Sequence, residues 1–197
     1  MPVELFMALC VYSFVSSITP GPNNLMLLAS GVNYGFRPTI PHMLGIAIGF
    51  GILLLCVGAG LGQLLISAPT AFTMVKFAGA AYLIFLAWKI ANSGPIEARE
   101  ASGKPMTFIQ AAAFQWVNPK AWVMAVSAMA IYTLEDRYWF SVLLVAFVFV
   151  IINLPCVSVW CAMGTGLRKW LSDPKTLRLF NYTMAILLVA SLWPMLK

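Results

Sequence analysis

Thr19-Pro20-Gly21-Pro22-Asn23-Asn24 sets two prolines, a glycine and two amides inside an uncharged run that extends from Leu5 to Phe36. Each proline removes a backbone donor and clashes with the preceding turn, and the residue before it is pushed out of the helical region, so a regular helix cannot pass through undisturbed. Laid end to end as helix, Val3–Ile18 and Asn23–Asn33 would reach about 45 Å against a hydrocarbon core of about 30 Å, so this segment must tilt, bend or fold back. In a bilayer, opened backbone is tolerated only where protein or a water-filled cavity satisfies it. A break of this kind at membrane depth therefore marks a substrate pathway or a kink that lets neighbouring helices pack.

The composition sets the class. Of 197 residues, 61% are hydrophobic and 9% are charged, against roughly 45–50% and 25% in soluble domains. The reading is an all-α integral membrane protein with one transmembrane domain over residues 1–197. The uncharged stretches predict six hydrophobic segments. Glu4 stands where a secretory signal would carry a basic residue, so the first segment is expected to stay in the mature chain. The net charge of +6 comes from basic residues in the short connections, where positive-inside bias accounts for them without nucleic-acid binding.

After the hydrophilic connection Asn92–Lys104 the pattern starts again. The fourth segment, Pro105–Leu134, is interrupted by Trp116-Val117-Asn118-Pro119-Lys120, again a proline beside an asparagine. The chain thus reads as two inverted three-helix repeats, residues 1–92 and 106–197, with segments 1 and 4 broken at prolines and a cytoplasmic loop at 93–105. Corresponding breaks in two such halves point to a midplane site. Eight basic residues (Arg37, Lys89, Arg99, Lys104, Arg168, Lys169, Lys175, Arg178) share one face, and three (Lys76, Arg137, Lys197) share the other. The richer face is expected to be cytoplasmic, which puts the carboxyl terminus outside. The side of the amino terminus depends on whether segment 1 spans or is re-entrant. Gly45 and Gly49, like Gly58 and Gly62, have the spacing that lets helices approach closely, and such faces permit a homodimer.

A broken helix offers free donors at the start of its second half, which favour an anion, and free carbonyls at the end of its first half, which favour a cation. Together they suit a zwitterion. Pro20, Gly21, Pro22, Asn23 and Asn24, with Asn118, Pro119 and Lys120, are therefore the candidate substrate-binding residues, and the amides add neutral donors and acceptors. Gln115, next to the second break, and Asn153, at depth in the fifth segment, are further candidates; Asn153 reads equally as a helix-packing amide. Lys120 is the one formal charge between Pro105 and Leu134, at a cost of about 2.5–3.5 kcal/mol near a helix centre. It is either a counter-ion for a substrate carboxylate or a donor to carbonyls freed by the breaks. All six acids lie in termini or connections, and there is a single histidine, His42. No buried carboxylate relay, metal cluster, catalytic triad or phosphate loop can be assembled, so neither an enzyme nor a cofactor is expected.

Thr19-Pro20-Gly21-Pro22-Asn23-Asn24, followed by Gly35-Phe36-Arg37, Gly45, Gly79-Ala80-Ala81-Tyr82-Leu83, Trp88-Lys89 and Asn118-Pro119-Lys120, resembles the LysE/RhtB amino-acid exporters over nearly the whole chain. The resemblance implies a multi-pass secondary transporter of the bacterial inner membrane that expels amino acids or close derivatives by exchange with protons. It carries the residues of the two breaks over as the family motif and its second-half counterpart. Two other classes stay open. A membrane thiol-reductant carrier would place cysteines beside the breaks, whereas Cys10 and Cys156 lie elsewhere; a metal-cation exporter would cluster carboxylates, histidines or thiolates at one depth. Lys120 as the sole charged pocket residue favours small neutral amino acids.

Overall fold

In the computed structural model, residues 1–62, 69–93, 104–171 and 173–193 are described. The expected loop at 93–105 therefore lies mostly outside the described residues, as do Arg99 and Lys197. Among the described residues the chain is helical with no strand: α1 (Val3–Ile18), α2 (Pro22–Tyr34), α3 (Phe36–Cys56, continued by a π-helical turn Val57–Leu61), α4 (Pro69–Ala91), α5 (Phe108–Phe114), α6 (Pro119–Tyr132), α7 (Tyr138–Leu167) and α8 (Pro174–Ala190).

The six expected segments are met only in part. Phe36–Leu61 and Glu135–Leu167 are each long and apolar enough to cross a bilayer, and α1 with α2, bent by 54° at the break, makes a third candidate span. Phe77–Ala91 of α4 is a shorter apolar helix, and α5, α6 and α8 each have fewer than 18 residues. The outer surface is nevertheless apolar, with Phe147, Ile151, Leu179 and Ile186 more than half exposed, as a lipid-facing surface requires.

Local sequence explains the boundaries. Pro22, Pro119 and Pro174 each stand at the first helical position, where the missing N–H costs nothing. Gly35 alone separates α2 from α3, with φ 84°, a left-handed conformation that a side chain would strain. Thr107 and Gln110 close a capping box on α5. Asp173 caps α8 by accepting from the backbone N–H (2.9 Å) and hydroxyl (2.8 Å) of Thr176, which hold its carboxyl below the usual carboxylate range.

Close backbone approaches fix the packing. A Cβ on Gly31 would strike the Cys161 carbonyl, and one on Gly164 would strike the Leu28 carbonyl, so α2 and α7 cross glycine against backbone in both directions. Gly45 and Gly49 do the same for α3 against Phe108, Ala111 and Ala112 of α5, and Gly79 lets α4 reach the Val117 carbonyl in the second break. Two large apolar clusters result. One joins Leu9 of α1, the end of α3, α6 and the start of α7; the other joins α2, α4, Phe114 and α8. The breaks lie between them.

Candidate functional site

At the first break, α1 ends at Ile18 and α2 begins at Pro22, leaving carbonyls that continuous helix would have used. Each finds a partner. Thr19 N–H donates to the Val15 carbonyl (3.1 Å) and the Thr19 hydroxyl to that of Ser16 (3.1 Å). Asn24 Nδ2 donates to the carbonyls of Ser17 and Thr19, both at 2.8 Å. Trp160 Nε1 of α7 donates to the Ile18 carbonyl at 3.0 Å. The Lys120 ammonium donates to the Thr19 carbonyl at 2.9 Å, to the Thr19 hydroxyl at 3.0 Å and, longer, to the Pro20 carbonyl at 3.4 Å. Gly21 leaves room for this arrangement, since a Cβ there would stand 2.8 Å from Lys120 Cδ and would have to displace the lysine side chain.

The donor side of the same break is treated differently. Gly21, the N-cap of α2, has no side chain to offer, and no side chain caps this helix. The start of α2 is therefore left with backbone N–H groups and the positive end of its dipole. Gly21, Pro22, Asn23 and Asn24 line a pocket together with Ser16, Ser17, Ile46, Phe50, Gln115, Asn118, Lys120, Ala121, Met124, Asn153 and Val157.

The second break is closed over short range. Gln115, Trp116 and Val117 donate their N–H groups three residues back, to Ala112, Ala113 and Phe114. Asn118 Oδ1 caps α6 by accepting from Lys120 N at 3.2 Å, and Trp122 Nε1 donates to the Trp116 carbonyl at 2.8 Å. The two breaks touch through a reciprocal amide pair: Asn23 Nδ2 donates to Gln115 Oε1 (2.8 Å) and Gln115 Nε2 donates to Asn23 Oδ1 (3.2 Å). Gln115 is wholly buried, and its second donor bond, to the Ala111 carbonyl at 2.8 Å, sets its orientation. Asn153 donates from Nδ2 to Ser17 Oγ at 3.1 Å, while its Oδ1, buried at the pocket, has no partner among the described residues. The pocket unites a positive helix end and an ammonium with neutral amide acceptors.

Of the residues the sequence singles out, Gly21, Pro22, Asn23, Asn24, Gln115, Asn118, Lys120 and Asn153 line this one pocket, whereas Pro20 and Pro119 shape the backbone beside it. The model of the LysE type translocator family matches residues 14–190 and so spans both breaks. The chain belongs to the LysE family. It is thus a membrane transporter by family, with no catalytic machinery required of the pocket. Among curated proteins, this LysE-family chain is 36% identical over 137 residues to the cysteine/O-acetylserine efflux protein of Escherichia coli (strain K12), covering 69% of each chain. It is 37% identical over 133 residues to the protein of the same name from Shigella flexneri serotype 5b (strain 8401), covering 67% of each. No solved structure matches the chain.

Sequence reasoning missed Ser16, Ser17 and the apolar lining of this LysE-family pocket, and Trp160 at the break beside it. A tryptophan inside an apolar run is a signal in itself, because a buried indole N–H needs an acceptor. Ile46, Phe50, Met124 and Val157 carry no such signal; helix register alone brings them to the pocket.

Proposed function

We propose that the protein exports a small neutral amino acid or close derivative, of the cysteine and O-acetylserine kind named for its relatives, across the bacterial inner membrane in exchange for protons. The observation that carries this reading is the asymmetry of the first break. Its carbonyls are all occupied while the start of α2 has no cap, so the pocket offers donors to a carboxylate. The Lys120 ammonium adds positive charge beside them. The unpartnered Oδ1 of Asn153 offers an acceptor for the substrate ammonium. In this reading Lys120 acts chiefly as the clamp on Thr19 and Pro20, and contributes to the carboxylate through its field.

The helix arrangement supports two inverted repeats, residues 1–92 and 106–197. Under that relation α1 with α2 corresponds to α5 with α6, α3 to α7, and α4 to α8. The packing agrees in part: α1 lies on α7 as α5 lies on α3, α3 pairs with α7, and α4 pairs with α8, whereas α2 packs far more extensively on α7 than α6 does on α3. Gly35, two residues before Arg37 at the start of α3, sits beside the Arg168 side chain, so two basic helix ends share one end of the bundle, which is the cytoplasmic end by charge. The six-segment, multi-pass architecture follows from this reading.

Uptake of labelled O-acetylserine and cysteine into inverted membrane vesicles tests the function. Vesicles carrying the protein are expected to accumulate label when their lumen is acidic, and to stop when the gradient is collapsed. Uptake that survives collapse would remove proton exchange; no uptake of any amino acid in a wide panel would remove the substrate class.

A further inference from the structure

A second cavity lies between α2, α3, the end of α4 and residues 104–106, nearer the basic end of the bundle, and its polar lining includes Ser30, Asn33, His42, Lys89 and Lys104 beside Tyr34 and Ser93. His42 is only 2% exposed and Asn33 3%. Neither ring nitrogen of His42 has a partner among the described residues, and neither does Asn33 Oδ1, although Asn33 Nδ2 donates to Asn181 Oδ1 at 3.2 Å. Buried polar atoms in folded proteins are nearly all satisfied, so three orphaned atoms on two residues lining one cavity call for an occupant. Ser30 adds an acceptor. The Thr39 hydroxyl spends its hydrogen on the Gly35 carbonyl (2.8 Å) and so must accept from Ser30 (2.9 Å), which leaves lone pairs on Ser30 Oγ.

The charge of the occupant follows from the lining. Lys89 and Lys104 stand at the exposed rim, and no aspartate or glutamate among the described residues lines the cavity. No metal-binding group of His, Cys, Asp and Glu exists among the described residues either. An anion end toward the lysines and a donor end toward Asn33 and Ser30 describe a small zwitterion, while neutral His42 offers one donor and one acceptor. The position follows from helix periodicity. His42 here and Ile46 in the break pocket are one turn apart on the same face of α3, and Asn23 in the break pocket and Ser30 here are two turns apart on the same face of α2, separations of about 6 and 10 Å.

We infer that the second cavity is an inner waiting subsite, which holds an amino acid by its carboxylate at Lys89 and Lys104 and by its ammonium at Asn33 and Ser30 before it advances along α2 and α3 to the break pocket. The inference rests on the transport reading above. Equilibrium binding of radiolabelled O-acetyl-L-serine to the purified full chain tests it. Two sites per chain are expected. His42→Leu and the pair Asn33→Leu with Asn181→Leu should each weaken one site at least ten-fold, and Asn153→Leu should weaken the other. His42→Leu also removes two orphaned atoms, so the ligand-free variant should melt above the wild type while it loses binding. A ring that merely packs would give a lower melting temperature and unchanged binding. If His42→Leu fails to fold, the paired asparagine variant decides, because it removes both partners of one hydrogen bond together. One site in the wild type, untouched by the inner variants, overturns the subsite and leaves the transport reading standing. No binding of either O-acetylserine or cysteine overturns both.

Discussion

The two breaks contain similar residues, but only the first depends on distant side chains. At Gln115–Asn118 the freed backbone groups are taken up within the same stretch, by tight turns and by Trp122 six residues on. At Thr19–Gly21 Thr19 and Asn24 take up part of them locally, but the Ile18 and Pro20 carbonyls depend on side chains from elsewhere: Lys120 from 100 positions away and Trp160 from 142. A locally closed break is a rigid platform that delivers Gln115, Asn118 and Lys120 to fixed positions. A break held from a distance stays open only while α6 and α7 keep their places, so movement of either helix changes the geometry offered to substrate. Opening between the inner and outer sides is thus expected to be coupled to the first break rather than the second.

The largest effect should come from volume at the second break. Gly79→Leu drives a side chain into the Val117 carbonyl, which cannot yield as a flexible side chain could, and is expected to cost about 3 kcal/mol or more, or to prevent folding. Melting in detergent measures it. Tolerance of Gly79→Leu with normal stability would mean that the second break is not rigid.

Next is Lys120→Met, which keeps the apolar stem but removes the donor to Thr19 and Pro20. We expect a loss of about 1–3 kcal/mol together with loss of transport, and only partial recovery in Lys120→Arg, because a planar fork cannot occupy the position of a compact ammonium. Normal stability with substrate affinity abolished would instead assign Lys120 directly to the carboxylate. Normal affinity with reduced stability would leave the start of α2 as the sole carboxylate site.

Asn24→Leu removes the donor shared by the Ser17 and Thr19 carbonyls. Lys120 still serves Thr19, so the cost should fall at about 1–2 kcal/mol. The smallest effect is expected from Trp160→Phe, which keeps the ring but leaves the Ile18 carbonyl unpaired, at about 1 kcal/mol. Its informative readout is the transport rate rather than the melting temperature. A rate that changes more than the stability loss explains would support the view that α7 controls the first break; an unchanged rate would remove that coupling.

Pro20, Pro22 and Pro119 determined by themselves that two helices could not run on, because a missing donor and a fixed φ act on local backbone whatever surrounds them. The apolar composition likewise fixed the solvent, and the amides at the breaks announced a polar site in an apolar bundle. Sequence could not say how the freed groups would be satisfied. That depends on helix register, and register was decided by glycine contacts such as Gly31 with Cys161 and Gly164 with Leu28, whose partners lie more than a hundred residues apart. The same contacts hold α7, with Asn153 and Trp160, against the first break, which no linear pattern records. Lys120 had two readings in the sequence because its charge needed either a substrate or a carbonyl. The tertiary structure placed its ammonium on Thr19 and Pro20, since only the folded chain brings the start of α6 to the end of α1.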